Sequence, residues 1–131
     1  MRCMQLSRGV ALILGLTIFS SAAFAGCDPN IGKKIFSNKC AICHVAETGA
    51  ADSTGPNLAG VVGRSAASRA GFGYSPGMTA IQITWSAESL DKFLSSPQGM
   101  VSGTFMAFTG LSRVQDRQAV ICYLQSIPAG K

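Results

Sequence analysis

Charged residues are scarce in this chain of 131 residues: Asp, Glu, Lys and Arg together make up 13%, about half of the usual share. Apolar residues reach 47%, so the composition excludes an intrinsically disordered protein, which shows the opposite balance. No segment reaches the roughly 20 consecutive apolar residues that a membrane-spanning helix needs. No repeat of solenoid or propeller length occurs either, and the length predicts a single domain.

The first 25 residues are typical of a secretory signal peptide. Arg2 and Arg8 are followed by an apolar run, and Ala23-Phe24-Ala25 fits the small-residue cleavage pattern. The apolar run is too short to cross a bilayer. We therefore expect residues 1–25 to be removed and residues 26–131 to form one domain in the periplasm.

The domain itself is only mildly basic. Without Arg2 and Arg8, nine basic residues remain against six acidic ones, a formal charge of +3. The basic residues are scattered rather than arranged in the stripe of a nucleic-acid binder. Lys33, Lys34 and Lys39 lie close together in the sequence. They form either a patch that steers an acidic partner or an ordinary solvated helix face.

Three helices are predicted, and no convincing alternating strand pattern is present. Each begins at a capping signal and carries apolar residues at helical spacing. The predicted helices run from Asp28-Pro29 to about Lys39, from Ser86 to Pro97, and from the capping box Ser112–Gln115 to Pro128. The fold class is all-α.

Two long stretches, residues 45–80 and 98–110, are rich in Gly, Ala, Ser and Thr and are predicted as loops. Irregular stretches of this length are uncommon in a compact domain unless they are functional or enclose something. The pattern favours a domain that is built around a large ligand.

Cys40-Ala41-Ile42-Cys43-His44 is a C-x-x-C-H motif, the attachment signature of c-type haem. Two cysteines three residues apart lie on one side of a helical turn, where each sulfur can form a thioether with one haem vinyl group. The adjacent His44 can then place a neutral nitrogen on the iron. His44 is the only histidine of the chain.

Other interpretations of the motif are a thioredoxin-like redox pair, half of a zinc site, or two structural cysteines. The redox pair lacks the expected βαβ context, and the zinc site lacks further ligands. We therefore predict one covalently attached haem c. The opposite face of its iron either takes a second axial ligand, which in cytochromes is often a methionine, or stays open. Met78, Met100 and Met106 are the candidate methionines of the domain.

From about residue 27 to residue 127 the sequence resembles the class I c-type cytochromes, of the cytochrome c and cytochrome c2 type. The resemblance follows the family's order along nearly the whole domain. It rests on Gly32, Phe36, the C-A-I-C-H segment, Gly55–Leu58, Gly63-Arg64, Gly71–Ser75, Ile83–Trp85, Gly103–Phe108 and Ala119–Leu124.

The resemblance implies the cytochrome c fold, with three main helices and long loops around one haem. It selects Met106 as the second iron ligand, and it implies that the Pro56 carbonyl binds the other ring nitrogen of His44. It also implies that four residues surround the haem propionates: Arg64, Tyr74, Trp85 and Thr104.

The sequence departs from the family pattern at several positions. Ser102 stands where a proline often precedes the Gly-Thr pair, and Phe93 stands where a tyrosine often lies near the methionine sulfur. Gln98, Gly99 and Phe105 replace lysines that surround the haem edge in the mitochondrial proteins. Docking to the mitochondrial type of partner is therefore in doubt.

Two cysteines, Cys27 and Cys122, belong neither to the predicted signal peptide nor to the haem motif. Phe24–Cys27 resembles a bacterial lipoprotein cleavage box, which would make Cys27 a lipid anchor. A disulfide between Cys27 and Cys122 is the second possibility, because the first and last helices should meet. Free thiols are the third.

The function expected from these residues is one-electron transfer between redox proteins by a monomer, not an enzyme, that docks its partners transiently. The alternatives are a haem enzyme or gas sensor with a displaceable Met106, and a fixed electron-transfer subunit of a larger complex.

Overall fold

The computed structural model describes residues 27–130. The predicted signal peptide, residues 1–25, lies outside the described residues. Five helices follow one another in the described part: α1 Pro29–Lys39, α2 Pro76–Ala80, α3 Ala87–Ser95, α4 Pro97–Met100 and α5 Val114–Gln125. Between residues 27 and 130 the only β pairing is one antiparallel bridge between Ser65 and Thr84, so the all-α fold class is confirmed.

The three predicted helices correspond to α1, α3 and α5. Asp28 caps α1, because its side chain accepts a hydrogen bond from the Asn30 N–H at 2.8 Å. Ser86 caps α3 in a reciprocal pair with Ser89, whose side chain accepts from the Ser86 N–H at 2.8 Å.

The predicted capping box at Ser112–Gln115 is wrong. The residue that precedes α5 is Arg113, and no side chain caps this helix. Ser112 has another role, since its carbonyl oxygen accepts a hydrogen bond from Arg117 Nη1 at 3.0 Å. Arg117 is buried and also donates to the Asp91 carboxylate from Nε at 2.8 Å, which ties α5 to α3.

Two short helices were not predicted. Both begin at a proline that follows a serine, and α2 is five residues long and α4 four. Ser75 caps α2 by accepting from the Met78 N–H at 3.1 Å. The expectation that Pro97 ends a helix is confirmed, since α3 ends at Ser95. Pro97 also opens α4, because proline is well tolerated in a first helical turn.

The crossing of α1 and α5 is the main helix contact, and Gly32 makes it possible. A Cβ atom at Gly32 would collide with the Ala119 carbonyl group and lie 2.7 Å from the Tyr123 Cβ. One turn further on, the rings of Phe36 and Tyr123 pack with their centroids 5.4 Å apart. The absence of a side chain at Gly32 therefore sets the distance between the two helices.

A disulfide joins Cys27 to Cys122, with the two Cα atoms 5.8 Å apart. It links the segment before α1 to the middle of α5. The lipid anchor at Cys27 is therefore not supported, because a sulfur in a disulfide cannot also form the thioether of a lipid. The same disulfide shows that the alternative of free thiols at Cys27 and Cys122 is wrong. Along residues 27–130 no helix is long and apolar enough to cross a membrane.

Removal of the disulfide should destabilise the fold strongly, because the bond closes a loop of nearly the whole domain. For Cys27→Ser and for Cys122→Ser we expect the free energy of unfolding to fall by about 2–4 kcal/mol, as measured by guanidinium titration of the holoprotein. Reduction of the wild-type disulfide should give the same loss. Stabilities within about 0.5 kcal/mol of wild type would contradict the proposed role of the bond.

Candidate functional site: a cavity at the C-x-x-C-H motif

A cavity of about 370 Å³ lies inside the core. Buried apolar side chains from the three main helices form part of its wall: Phe36 of α1, Leu90, Phe93 and Leu94 of α3, and Val120 and Leu124 of α5. The long stretch between residues 54 and 78 provides much of the remainder. These loops therefore enclose a space, as their composition predicted.

All nine site residues named from the sequence line this one cavity: Cys40, Cys43, His44, Pro56, Arg64, Tyr74, Trp85, Thr104 and Met106. They come from positions up to 66 residues apart in the chain. Only the fold brings them together.

The motif continues directly from the C-terminal end of α1. The Cys43 and His44 N–H groups both donate to the Cys40 carbonyl, at 3.0 and 2.9 Å. This turn brings both sulfurs and the imidazole to the cavity wall. Burial raises the pKa of the Cys40 thiol to about 11, so the thiol is neutral at physiological pH.

The imidazole of His44 is oriented by its backbone neighbours. Its Nδ1 lies 2.8 Å from the Pro56 carbonyl oxygen, a contact that requires Nδ1 to carry the proton and donate it. Nε2 is then free as a lone-pair donor. Burial lowers the pKa of His44, although the hydrogen bond to Pro56 opposes that shift. The neutral imidazole, the form that binds iron, is thereby favoured.

Gly55 lies against the face of this ring. A Cβ atom at Gly55 would be 2.6 Å from the His44 Nδ1, too close for any side chain. The Gly55 N–H in turn donates to the Cys43 carbonyl at 2.6 Å. The Gly-Pro pair therefore both makes room for the imidazole and fixes its tautomer.

Arg64 is held at the cavity wall by two backbone carbonyls. Its Nη1 donates to Ala59 and its Nη2 donates to Asn57, both at 3.0 Å. Asn57 is itself 1% exposed, and its side-chain amide donates to the carbonyls of Glu47 and Ala50. Sequence reasoning gave no role to Asn57, which holds this loop and through it the guanidinium.

The other three polar residues are arranged differently. The Tyr74 hydroxyl accepts from the Arg69 N–H at 3.3 Å, which leaves its own proton free to donate. The Trp85 ring packs on Phe93 with the centroids 5.1 Å apart. The Thr104 hydroxyl accepts from the Met106 N–H at 3.3 Å.

Two of the three candidate methionines, Met78 and Met106, line the cavity, whereas Met100 does not. Backbone contacts hold the Met106 loop. Gln98 Nε2 donates to the Thr104 carbonyl at 3.0 Å and to the Met106 carbonyl at 3.5 Å. From the sequence, Gln98 was considered only as a residue that replaces a lysine of the mitochondrial proteins. Its contacts with the Met106 loop were not predicted.

The donor set of the cavity fits a c-type haem. Two thiols and a neutral imidazole lie on one turn, the lining is largely apolar, and the cationic Arg64 and the hydroxyl groups of Tyr74 and Thr104 belong to the same lining. A zinc site is not supported, since no three His, Cys, Asp or Glu side chains of residues 27–130 cluster to hold a metal ion.

Comparisons with known proteins agree with this site. A family model described as cytochrome c matches residues 30–128. Cytochrome c2 of Rhodomicrobium vannielii is 40% identical over 115 residues, which cover 88% of this chain and 91% of that protein. Cytochrome c of Ginkgo biloba is 40% identical over 98 residues, 75% of this chain and 87% of that protein.

Cytochrome c of Chlamydomonas reinhardtii is 41% identical over 98 residues, which cover 75% of this chain and 88% of that protein. The family match includes the whole C-x-x-C-H segment and the loops that enclose the cavity. The chain therefore belongs to the cytochrome c family, as a class I c-type cytochrome that holds one haem c covalently and carries single electrons.

Proposed function

We propose that this protein shuttles single electrons between redox proteins of the periplasm, with its haem iron bound by His44 and Met106. The observation that carries the proposal is that the fixed imidazole and the Met106 loop line one cavity. The haem iron supplies the chemistry by changing between the ferric and ferrous states. We assign no catalytic residues.

The chain's own contribution is to hold both ligands in place. Pro56 fixes the tautomer of His44, and Thr104 and Gln98 hold the backbone of Met106. Ligands that are held in this way need little rearrangement when the iron changes its charge. A thioether ligand also raises the reduction potential, because it favours the ferrous state.

Arg64, Tyr74, Trp85 and Thr104 are proposed to surround the two haem propionates. Arg64 carries a fixed positive charge, and Tyr74 has a hydroxyl proton to donate. Charge-assisted hydrogen bonds of this kind offset the cost of partly burying a carboxylate.

The periplasm is proposed as the location on two grounds. The first 25 residues have the pattern of a cleaved export signal, and the disulfide between Cys27 and Cys122 suits an oxidising compartment. A bacterial cytochrome c2 is among the relatives. We further propose that the protein acts as a monomer that meets its partners transiently.

The ligand pair can be tested by replacing Met106 with alanine. Ferric wild-type holoprotein should show a weak deep-red sulfur-to-iron absorption band, and its ferrous form should not bind carbon monoxide. Met106→Ala should lose the band and bind carbon monoxide promptly, because an iron position is opened. Met78→Ala is the matched control, since Met78 lines the same cavity and should keep the band.

Prompt carbon monoxide binding to the wild-type protein would instead favour a haem enzyme or a gas sensor. Loss of the band in Met78→Ala and its survival in Met106→Ala would mean that the wrong methionine has been assigned. Co-purification of the holoprotein in a stable complex would favour a fixed electron-transfer subunit.

Gln98 should control how readily Met106 leaves the iron. Gln98→Ala removes the side-chain amide that donates to two carbonyls of the Met106 loop, and the shorter of these hydrogen bonds contributes about 0.5–1.5 kcal/mol. We therefore expect imidazole to bind the ferric protein about three- to tenfold more tightly in this variant. Gln118→Ala is the control, because Gln118 is exposed on α5. Equal imidazole affinities in the two variants would show that Gln98 does not restrain the loop.

A further inference from the structure

The two most exposed large apolar side chains of the described residues lie at the rim of the cavity. Ile42 is 85% exposed and Phe105 is 72% exposed, and both also line the cavity. His44 and Met106, which line the same cavity, are much less exposed. Ile42 and Phe105 therefore present most of their surface to solvent at the cavity's mouth. Ala107 and Thr54 line the cavity and are exposed in the same way.

We call Ile42, Thr54, Phe105 and Ala107 the mouth surface. None of them is charged. Of residues 27–130, Lys39 and Arg64 are the two charged ones that line the cavity. Arg64 is engaged with backbone carbonyls, so Lys39 is the exposed charged residue of the described cavity lining.

Three ion pairs of the described residues are not part of the cavity lining. Asp52 pairs with Arg69 at 2.8 Å, Glu88 with Lys92 at 2.7 Å, and Asp91 with Arg117 at 2.8 Å. None of these six residues lines the cavity. Among the described residues, the cavity lining therefore holds no cluster of like charges that would steer a partner of opposite charge over a distance.

We propose that the mouth surface is the docking face for a redox protein whose own contact face is uncharged and apolar. The proposal rests on the proposed function, because it assumes that electrons leave and enter at this cavity. An uncharged face matches an uncharged face, whereas within the described cavity lining an acidic partner would find only Lys39 to pair with. Exposed apolar side chains grouped at one functional opening are typical of such contact sites. The contact is small and therefore transient.

A second copy of this protein presents the same uncharged face, so electron self-exchange tests the proposal without any unknown partner. One electron passes from a ferrous copy to a ferric copy, and no bond or proton changes place. The exchange rate can be measured by NMR line broadening in mixtures of the two oxidation states. For the wild type we expect the rate to change by less than about twofold between about 0.01 and 0.5 M ionic strength.

Phe105→Lys places a positive charge on each of the two mouths that must meet. We expect its self-exchange to be about fivefold slower than wild type at low ionic strength, with most of the loss recovered at high ionic strength. Ile42→Lys should behave in the same way. Ile31→Lys is the matched control, because Ile31 is 56% exposed but does not line the cavity. Ile31→Lys adds the same charge, and its self-exchange rate should stay within about twofold of the wild-type rate.

Equal rates in Phe105→Lys and Ile31→Lys would overturn the mouth surface as the docking face. A wild-type rate that rises severalfold with ionic strength would show that charge repulsion controls the contact and would also overturn it. Failure of the proposed function gives a different result. In that case no variant, wild type included, would show self-exchange, although stable ferric and ferrous forms could both be prepared.

Discussion

The main helices of this protein surround a cavity rather than a closed core, and this constraint determines most of the structure. Phe36, Phe93 and Val120, which come from α1, α3 and α5, are buried and yet line the same space. The close crossing at Gly32 and the disulfide between Cys27 and Cys122 tie α1 to α5 on the protein side.

The same constraint explains the irregular backbone. The backbone N–H and C=O groups of an irregular loop around a haem are not paired as in a helix or sheet. Hydrogen bonds from individual side chains satisfy some of them instead. Asn57 binds two carbonyls of its own loop, and Gln98 binds two carbonyls of the Met106 loop. Both loops are thereby held at the cavity, where the proposed iron ligand Met106 and the hydrogen-bond partner of His44 lie.

Local sequence signals made a large part of the fold and of the candidate site predictable. The C-x-x-C-H motif identified the cofactor, and the caps at Asp28 and Ser86 located two helix starts. The partners of Arg117 and Cys27 could not be derived locally, because they lie 26 and 95 residues away in the chain. The start of α5 was misplaced for the same reason: the Ser112 carbonyl binds Arg117, a contact that no capping pattern reveals.

The central claim is that His44 and Met106 bind the iron in both oxidation states, which is what a rapid electron carrier requires. X-ray absorption at the iron edge of the holoprotein tests this most directly. The account predicts six-coordinate iron with one sulfur ligand in both the ferric and the ferrous protein, and nearly unchanged distances to the ligands. Loss of the sulfur, or a five-coordinate iron, in either state would contradict it.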